Sequence, residues 1–179
     1  MQMLEIETKA WVNDMGELEQ QVAARGRLVR RYHKKDVYFR PISGPQVRVR
    51  SETDGSGTVT RKYKEIRDGV ETSREDEFTV DRPELAERLL QDLGAEEYIR
   101  KEKIGSAYEV DGLTVELSEV VGLGQFIEIE WVGPDEGPGT AEAARGKVVS
   151  LAAALGIGPE RFEARPYTQL LLERRGSFG

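Results

Sequence analysis

The stretch that decides the fold is Glu5-Ile6-Glu7-Thr8-Lys9, near the start of a run from Met3 to Val12. In an extended strand, residues two apart share a face. Glu5, Glu7 and Lys9 therefore point one way and Ile6 the other. The same arrangement recurs along the chain. Arg48 and Arg50 share a face against Val47 and Val49, Lys62 and Lys64 flank Tyr63, and Lys101 pairs with Lys103. Glu128 and Glu130 share a face against Ile127 and Ile129. Any one such strand is explained by a half-solvated antiparallel sheet. Together they segregate by sign, and a sheet curled with its charged faces inward makes a tunnel walled by carboxylates and cations. Unpaired charge buried there would be prohibitive. A bound polyanion with metal ions resolves it, with carboxylates holding the metal and Lys and Arg taking the phosphate charge.

Turn and cap signals divide the rest. Asn13 or Asp14 caps a helix running to about Ala24, which Gly26 stops. Leu28 to Val80 reads as hairpin strands cut at Ser43-Gly44-Pro45, Asp54-Gly55-Ser56-Gly57 and Arg67-Asp68-Gly69. Asp81 caps a helix with Pro83 in its first turn, and Gly94 closes it. Tyr98 to Val110 and Leu113 to Val120 form a hairpin about Asp111-Gly112, followed by a strand from Phe126 to Val132. Pro134 to Gly139 is a loop, Ala141 to Leu155 a helix, and Tyr167 to Glu173 a last helix. About eight strands with helices between them give an α+β fold, an antiparallel sheet closed or nearly closed into a barrel with the helices outside.

Composition narrows the chemistry. The chain has 179 residues, 38% hydrophobic and 33% charged, as expected for one globular domain over 1–179. It has no cysteine and one histidine, His33, which excludes thiolate and multi-histidine metal sites. Carboxylates must hold any metal, favouring Mg²⁺ or Mn²⁺. A net charge of -7 argues against general nucleic-acid binding. With no signal-peptide pattern and no membrane-length apolar run, a cytoplasmic location is expected. Gly122-Leu123-Gly124 reads as a tight turn and His33 as a solvated strand end. Arg74 and Glu75 are explained equally well by a surface pair and by a loose match to a known family's pattern, and Trp11 and Trp131 read as barrel-end packing.

Glu5-Ile6-Glu7-Thr8-Lys9 matches the Glu-x-Glu-x-Lys signature of the CYTH, or triphosphate tunnel, superfamily. Asp36-Val37-Tyr38-Phe39, Val47-Arg48-Val49-Arg50, the lysine strand ending at Lys64, and Lys101-Glu102-Lys103 follow in family order. Gly122 to Glu130 and the closing Tyr167-Thr168-Gln169-Leu170-Leu171 complete the resemblance, which covers the whole chain and looks most like class IV adenylyl cyclases. It implies that Glu5, Glu7, Glu128 and Glu130 are metal ligands. It implies that Lys9, Arg48, Arg50, Lys64, Lys101 and Lys103 bind the triphosphate, with Lys62 or Lys64 as the primary lysine of its strand. Ser118 stands where the family usually has an aspartate, and Glu116, on the same face, is expected to compensate in part. The resemblance implies a substrate that is ATP, inorganic tripolyphosphate or thiamine triphosphate, with Lys9 as the general base if the reaction is hydrolysis. It also implies a possible homodimer. A non-catalytic polyphosphate- or nucleotide-binding module is the alternative outside catalysis.

Overall fold

The period-two charge pattern closes on itself. In a computed structural model describing residues 3–40, 44–134, 136–137 and 139–176, β1 (Met3–Trp11) pairs with both β5 (Val70–Val80) and β8 (Gly124–Pro134). The remaining strands are β2 (Arg27–Arg40), β3 (Gln46–Glu52), β4 (Gly57–Arg67), β6 (Glu96–Val110) and β7 (Leu113–Val120). They complete a closed barrel in the order β1-β5-β4-β3-β2-β6-β7-β8, antiparallel throughout. Closure leaves no edge strand among the eight.

The barrel carries its apolar faces outward, so helices must cover them. α1 (Met15–Ala23) and α3 (Thr140–Ala154) bury the outer face of β1 and β6–β8. Leu4, Ile6, Val115, Ile127 and Ile129 pack there against Val22, Val148 and Ala152. α2 (Pro83–Asp92) covers β2–β4, with Ala86 and Leu90 against Val37, Phe39, Val49 and Val59. Each fully buried Ile, Val or Phe of this kind stabilises by about 1.5–3 kcal/mol. α4 (Tyr167–Gly176) lies across one end.

Local chemistry explains the joints. Asp14 caps α1, accepting from the Glu17 backbone N–H at 3.0 Å. Asp68-Gly69 and Asp111-Gly112 all have positive φ, which makes both hairpins the type I′ turn suited to twisted strands. Three expectations change. α2 is capped by Arg82 without any side-chain hydrogen bond, not by Asp81, because Pro83 occupies the first helical position and needs no N–H partner. α4 runs to Gly176, beyond Glu173. β6 and β8 exceed the sequence reading, starting at Glu96 and Gly124. Of the turn read at Ser43-Gly44-Pro45, Ser43 lies outside the described residues, as do Asp135 and Pro138 of the loop from Pro134 to Gly139. Among the described residues no helix is long and apolar enough to cross a membrane.

Gly105 interrupts the inward row of β6, between Lys103 and Ala107. A Cβ there would lie 2.3 Å from the Leu117 carbonyl oxygen and 2.8 Å from the Ser118 Cβ, both on the neighbouring strand. Gly105→Ala is expected to lower the urea midpoint, costing about 1–3 kcal/mol through overpacking, with an unchanged denaturant slope.

Candidate active site

Strand order converts the sequence doublets into two walls. β7, β8, β1 and β5 are consecutive around the barrel and carry Glu116, Glu128, Glu130, Glu5, Glu7, Glu71 and Glu75. β4, β3, β2 and β6 are also consecutive and carry Lys62, Lys64, Arg48, Arg50, Lys34, Lys101 and Lys103. Lys9 on the acidic side and Asp36 and Glu109 on the basic side break the division. The tunnel encloses about 960 Å³, and every site residue expected from the sequence lines it.

The basic wall is organised by Asp36, which is 1% exposed. Arg50 donates to both of its carboxylate oxygens, at 2.7 and 2.9 Å, and the Lys101 ammonium lies 2.9 Å away. Burial alone would raise this carboxyl; Lys101 and then Arg50 outweigh it and hold it well below the usual range. Beside them Arg48 donates to Thr60 Oγ1 at 3.0 Å, while its buried Nε has no partner among the described residues.

Cross-ties join the walls. Lys62 reaches Glu71 and Glu75 at 2.8 Å and Glu5 at 3.0 Å, while among the described residues Lys64 forms an ion pair only with Glu71, at 3.3 Å. Lys62 is thus the more embedded lysine of its strand. Glu116 accepts from Lys34 at 2.7 Å, Lys103 at 2.6 Å and the Tyr32 hydroxyl at 2.8 Å. Lys103 also contacts Glu128. Burial pushes the Lys103 ammonium down to about 8, against the opposing pull of Glu116.

The remaining carboxylates face one another. Glu7 lies directly opposite Glu71 on one neighbouring strand and Glu130 on the other, a pairing of like charges that by itself destabilises a sheet. Glu5, Glu7 and Glu130 each bring a carboxylate oxygen within 4.8 Å of the others. Burial first, then Glu5 and Glu7, raises the Glu130 carboxyl well above its usual range. Burial also raises Glu5, although Lys62 opposes it. The predicted carboxylates therefore divide: Glu5, Glu7 and Glu130 cluster, with Lys62 reaching Glu5, whereas Glu116 and Glu128 lie apart from the cluster and pair with Lys34 and Lys103.

Several tunnel residues escaped the sequence reading. Glu71 and Glu75 belong to a period-two row, Glu71-x-Ser73-x-Glu75, and Lys34-x-Asp36 is another. Both rows were visible as the same doublet signal. Of the two readings of Arg74 and Glu75, the surface pair does not hold: they occupy opposite faces of β5, Arg74 exposed and Glu75 in the tunnel. Tyr167 was legible only as part of a closing helix. Ser118 is buried on the Glu116 face, with no hydrogen-bond partner for its hydroxyl among the described residues. His33 pairs with Glu102 at 2.5 Å. Trp11 stacks on Phe126 at a barrel end, but Trp131 packs into the outer core beneath the helices.

Removing Asp36 would leave Arg50 and Lys101 buried without their counter-charge. Asp36→Ala is expected to cost about 3–5 kcal/mol in chemical denaturation.

Similarity to known proteins follows the same outline. Residues 3–167 match the CYTH domain family. A protein of Methanocaldococcus jannaschii named as a candidate adenylate cyclase is 27% identical over 135 residues, covering 72% of this chain and 77% of that protein. A solved Pyrococcus horikoshii structure is 28% identical with a TM-score of 0.82, covering 96% of this chain and 99% of that one. A Hippeastrum protein, described as a candidate adenylyl cyclase with a dominant triphosphatase activity, shares the fold at 17% identity and a TM-score of 0.66, over 97% of this chain and 96% of that one. With its family signature spread over a closed barrel whose charged faces all turn inward, the chain belongs to the CYTH domain family.

Proposed function

We propose that the tunnel binds a triphosphate and that the protein catalyses metal-dependent phosphoryl transfer on it. The observation that carries this reading is the division of one cavity into a carboxylate wall and a cationic wall. A pure polyanion binder has no use for an acidic wall, which would repel its ligand. The Glu5, Glu7 and Glu130 cluster is rich in hard oxygen donors, with Lys62 at Glu5 its one ion-pair partner among the described residues, and burial together with Glu5 and Glu7 raises the Glu130 carboxyl. These residues fit Mg²⁺ or Mn²⁺ and would hold it; such an ion neutralises phosphate charge as it develops in the transition state.

The basic wall supplies the rest. Arg48, Arg50, Lys62, Lys64, Lys101 and Lys103, joined by Lys9 from the other side, would hold the phosphate oxygens. Glu116 and Glu128 position Lys103 in this reading, a role distinct from that of the cluster. Lys9 is buried, with no carboxylate within ion-pair distance among the described residues, which leaves its amine available to the substrate. We assign it the role of base if water is the nucleophile.

The first reading of the reaction is adenylyl cyclisation, in which the ribose 3′-hydroxyl of ATP attacks the α-phosphorus and pyrophosphate leaves. It is favoured by the name of the 27%-identical relative. Hydrolysis of tripolyphosphate or thiamine triphosphate is the second reading, motivated by the activity ascribed to the Hippeastrum protein. Incubation with Mg²⁺ or Mn²⁺ and each triphosphate separates them: cyclic AMP with pyrophosphate marks the cyclase, and orthophosphate without cyclic AMP marks the hydrolase. Tight binding without turnover of any of the three would refute catalysis. Glu130→Gln is expected to raise the Mg²⁺ concentration for half-maximal activity by about tenfold or more. Arg48→Ala should raise KM and leave the metal titration unchanged; identical titrations for the two variants would contradict the division of labour between the walls.

A further inference from the structure

At one end of the tunnel the inward faces change from charged to apolar. The β1 row of Glu5, Glu7 and Lys9 ends in Trp11, the β8 row of Glu130 and Glu128 ends in Phe126, and the β7 row of Glu116 and Ser118 ends in Val120. Tyr167, the first residue of α4, packs on Val120 and Phe126, meeting the Phe126 ring edge-on at 4.9 Å. Trp11 lies against the same Phe126 at 4.1 Å. This side of the barrel is stoppered, whereas the opposite mouth is lined by Met3, Val29 and Val132 together with charged residues that include Arg27, Glu77 and Glu109.

Tyr167 is more than a plug. The ammonium groups of Lys101, Lys9 and Lys103 lie 5.2, 5.4 and 5.9 Å from its ring centre. Its hydroxyl is buried and has no hydrogen-bond partner among the described residues. Packing does not account for that hydroxyl, since phenylalanine would fill the same space without an unsatisfied buried group. Tyr167 lines the tunnel together with Lys9, Lys101 and Lys103. Burial also raises this phenol well above its usual range, keeping it a donor.

We propose that Tyr167 is a substrate-contacting residue, donating its hydroxyl hydrogen to an oxygen of the terminal phosphate held by Lys9, Lys101 and Lys103 at the stoppered end. The inference rests on the triphosphate reading above and deepens it. It sets the direction of binding: the free end of the phosphate chain lies against Tyr167, and any organic substituent lies toward Met3, Val29 and Val132. The substrate class is then triphosphates with an unesterified terminal phosphate.

Tyr167→Phe tests it, because the ring and its contacts with Phe126 and the lysines are kept. The probe is the bis-methylene analogue of tripolyphosphate, whose P–C bonds resist hydrolysis, titrated with Mg²⁺ by calorimetry into the wild type and the variant. The expected result is binding weakened about tenfold or more, the effect of one hydrogen bond to a charged group. The variant's melting temperature should be equal or higher, since an unpaired buried hydroxyl has been removed. Unchanged affinity would overturn the proposal and leave the triphosphate reading standing. Weaker binding with a lowered melting temperature would also overturn it, by showing that the hydroxyl serves the fold. Failure of the wild type to bind the analogue would sink the triphosphate reading, and the role of Tyr167 with it.

Discussion

Glu7 stands between two other glutamates, Glu71 and Glu130, on adjacent strands. This enforced meeting of like charges is the constraint on which the rest depends. On a solvated sheet the three would relax into water at small cost. On the inside of a closed barrel they cannot disperse, and the surroundings must answer them. The opposite wall does so with lysine and arginine, and Lys62 spans the gap to Glu5, Glu71 and Glu75. The answer is incomplete at Glu130, whose carboxyl is driven well above its normal range. A site that holds excess negative charge beside excess positive charge is poised for a ligand carrying both, such as a metal-bound polyphosphate.

Facing the charges inward decides where stability resides. The conventional core is displaced to the outside of the barrel, where α1, α2 and α3 cover Ile6, Ile127, Ile129, Phe39 and Val49. The shell carries hydrophobic stabilisation and the tunnel carries chemistry, so most interior residues can serve binding without also serving packing. Asp36 and Gly105 are exceptions. Asp36 is fixed under two cations as an internal counter-charge, and Gly105 lets two strands approach closely.

Much of this was legible because strands impose a period of two. Glu5/Glu7, Arg48/Arg50 and Glu128/Glu130 announced their shared faces, and Asp111-Gly112 announced its hairpin. The pattern does not give strand order, and only order shows that acidic strands lie beside acidic and basic beside basic. Local pattern also cannot separate Glu130 from Glu128. Both lie on one face of β8, yet Glu128 is engaged by Lys103 whereas Glu130 meets Glu5 and Glu7. The role of Tyr167 was hidden for a similar reason. A tyrosine opening a helix says nothing locally of the lysines on β1 and β6 that surround its ring.

The cross-ties present without ligand are suited to exchange. Lys62 and Lys103 each hold carboxylates of the acidic wall. In the proposed reading, a phosphate chain with a metal ion would substitute one partner for another: Lys62 would turn to phosphate oxygens as Glu5 turned to metal, while Lys103 kept Glu116 and Glu128 beside it. Such an exchange conserves ion-pair number, so binding need not bear the full desolvation cost of exposed charges entering an apolar cavity. Buried groups without a hydrogen-bond partner among the described residues, among them Arg48 Nε on the basic wall, the Ser118 hydroxyl and the Tyr167 hydroxyl at the stoppered end, would gain without exchange. Hydrogen bonds from these groups to a ligand would replace no protein contact. They are therefore the places where the tunnel can distinguish a bound phosphate chain from its own internal ion pairs.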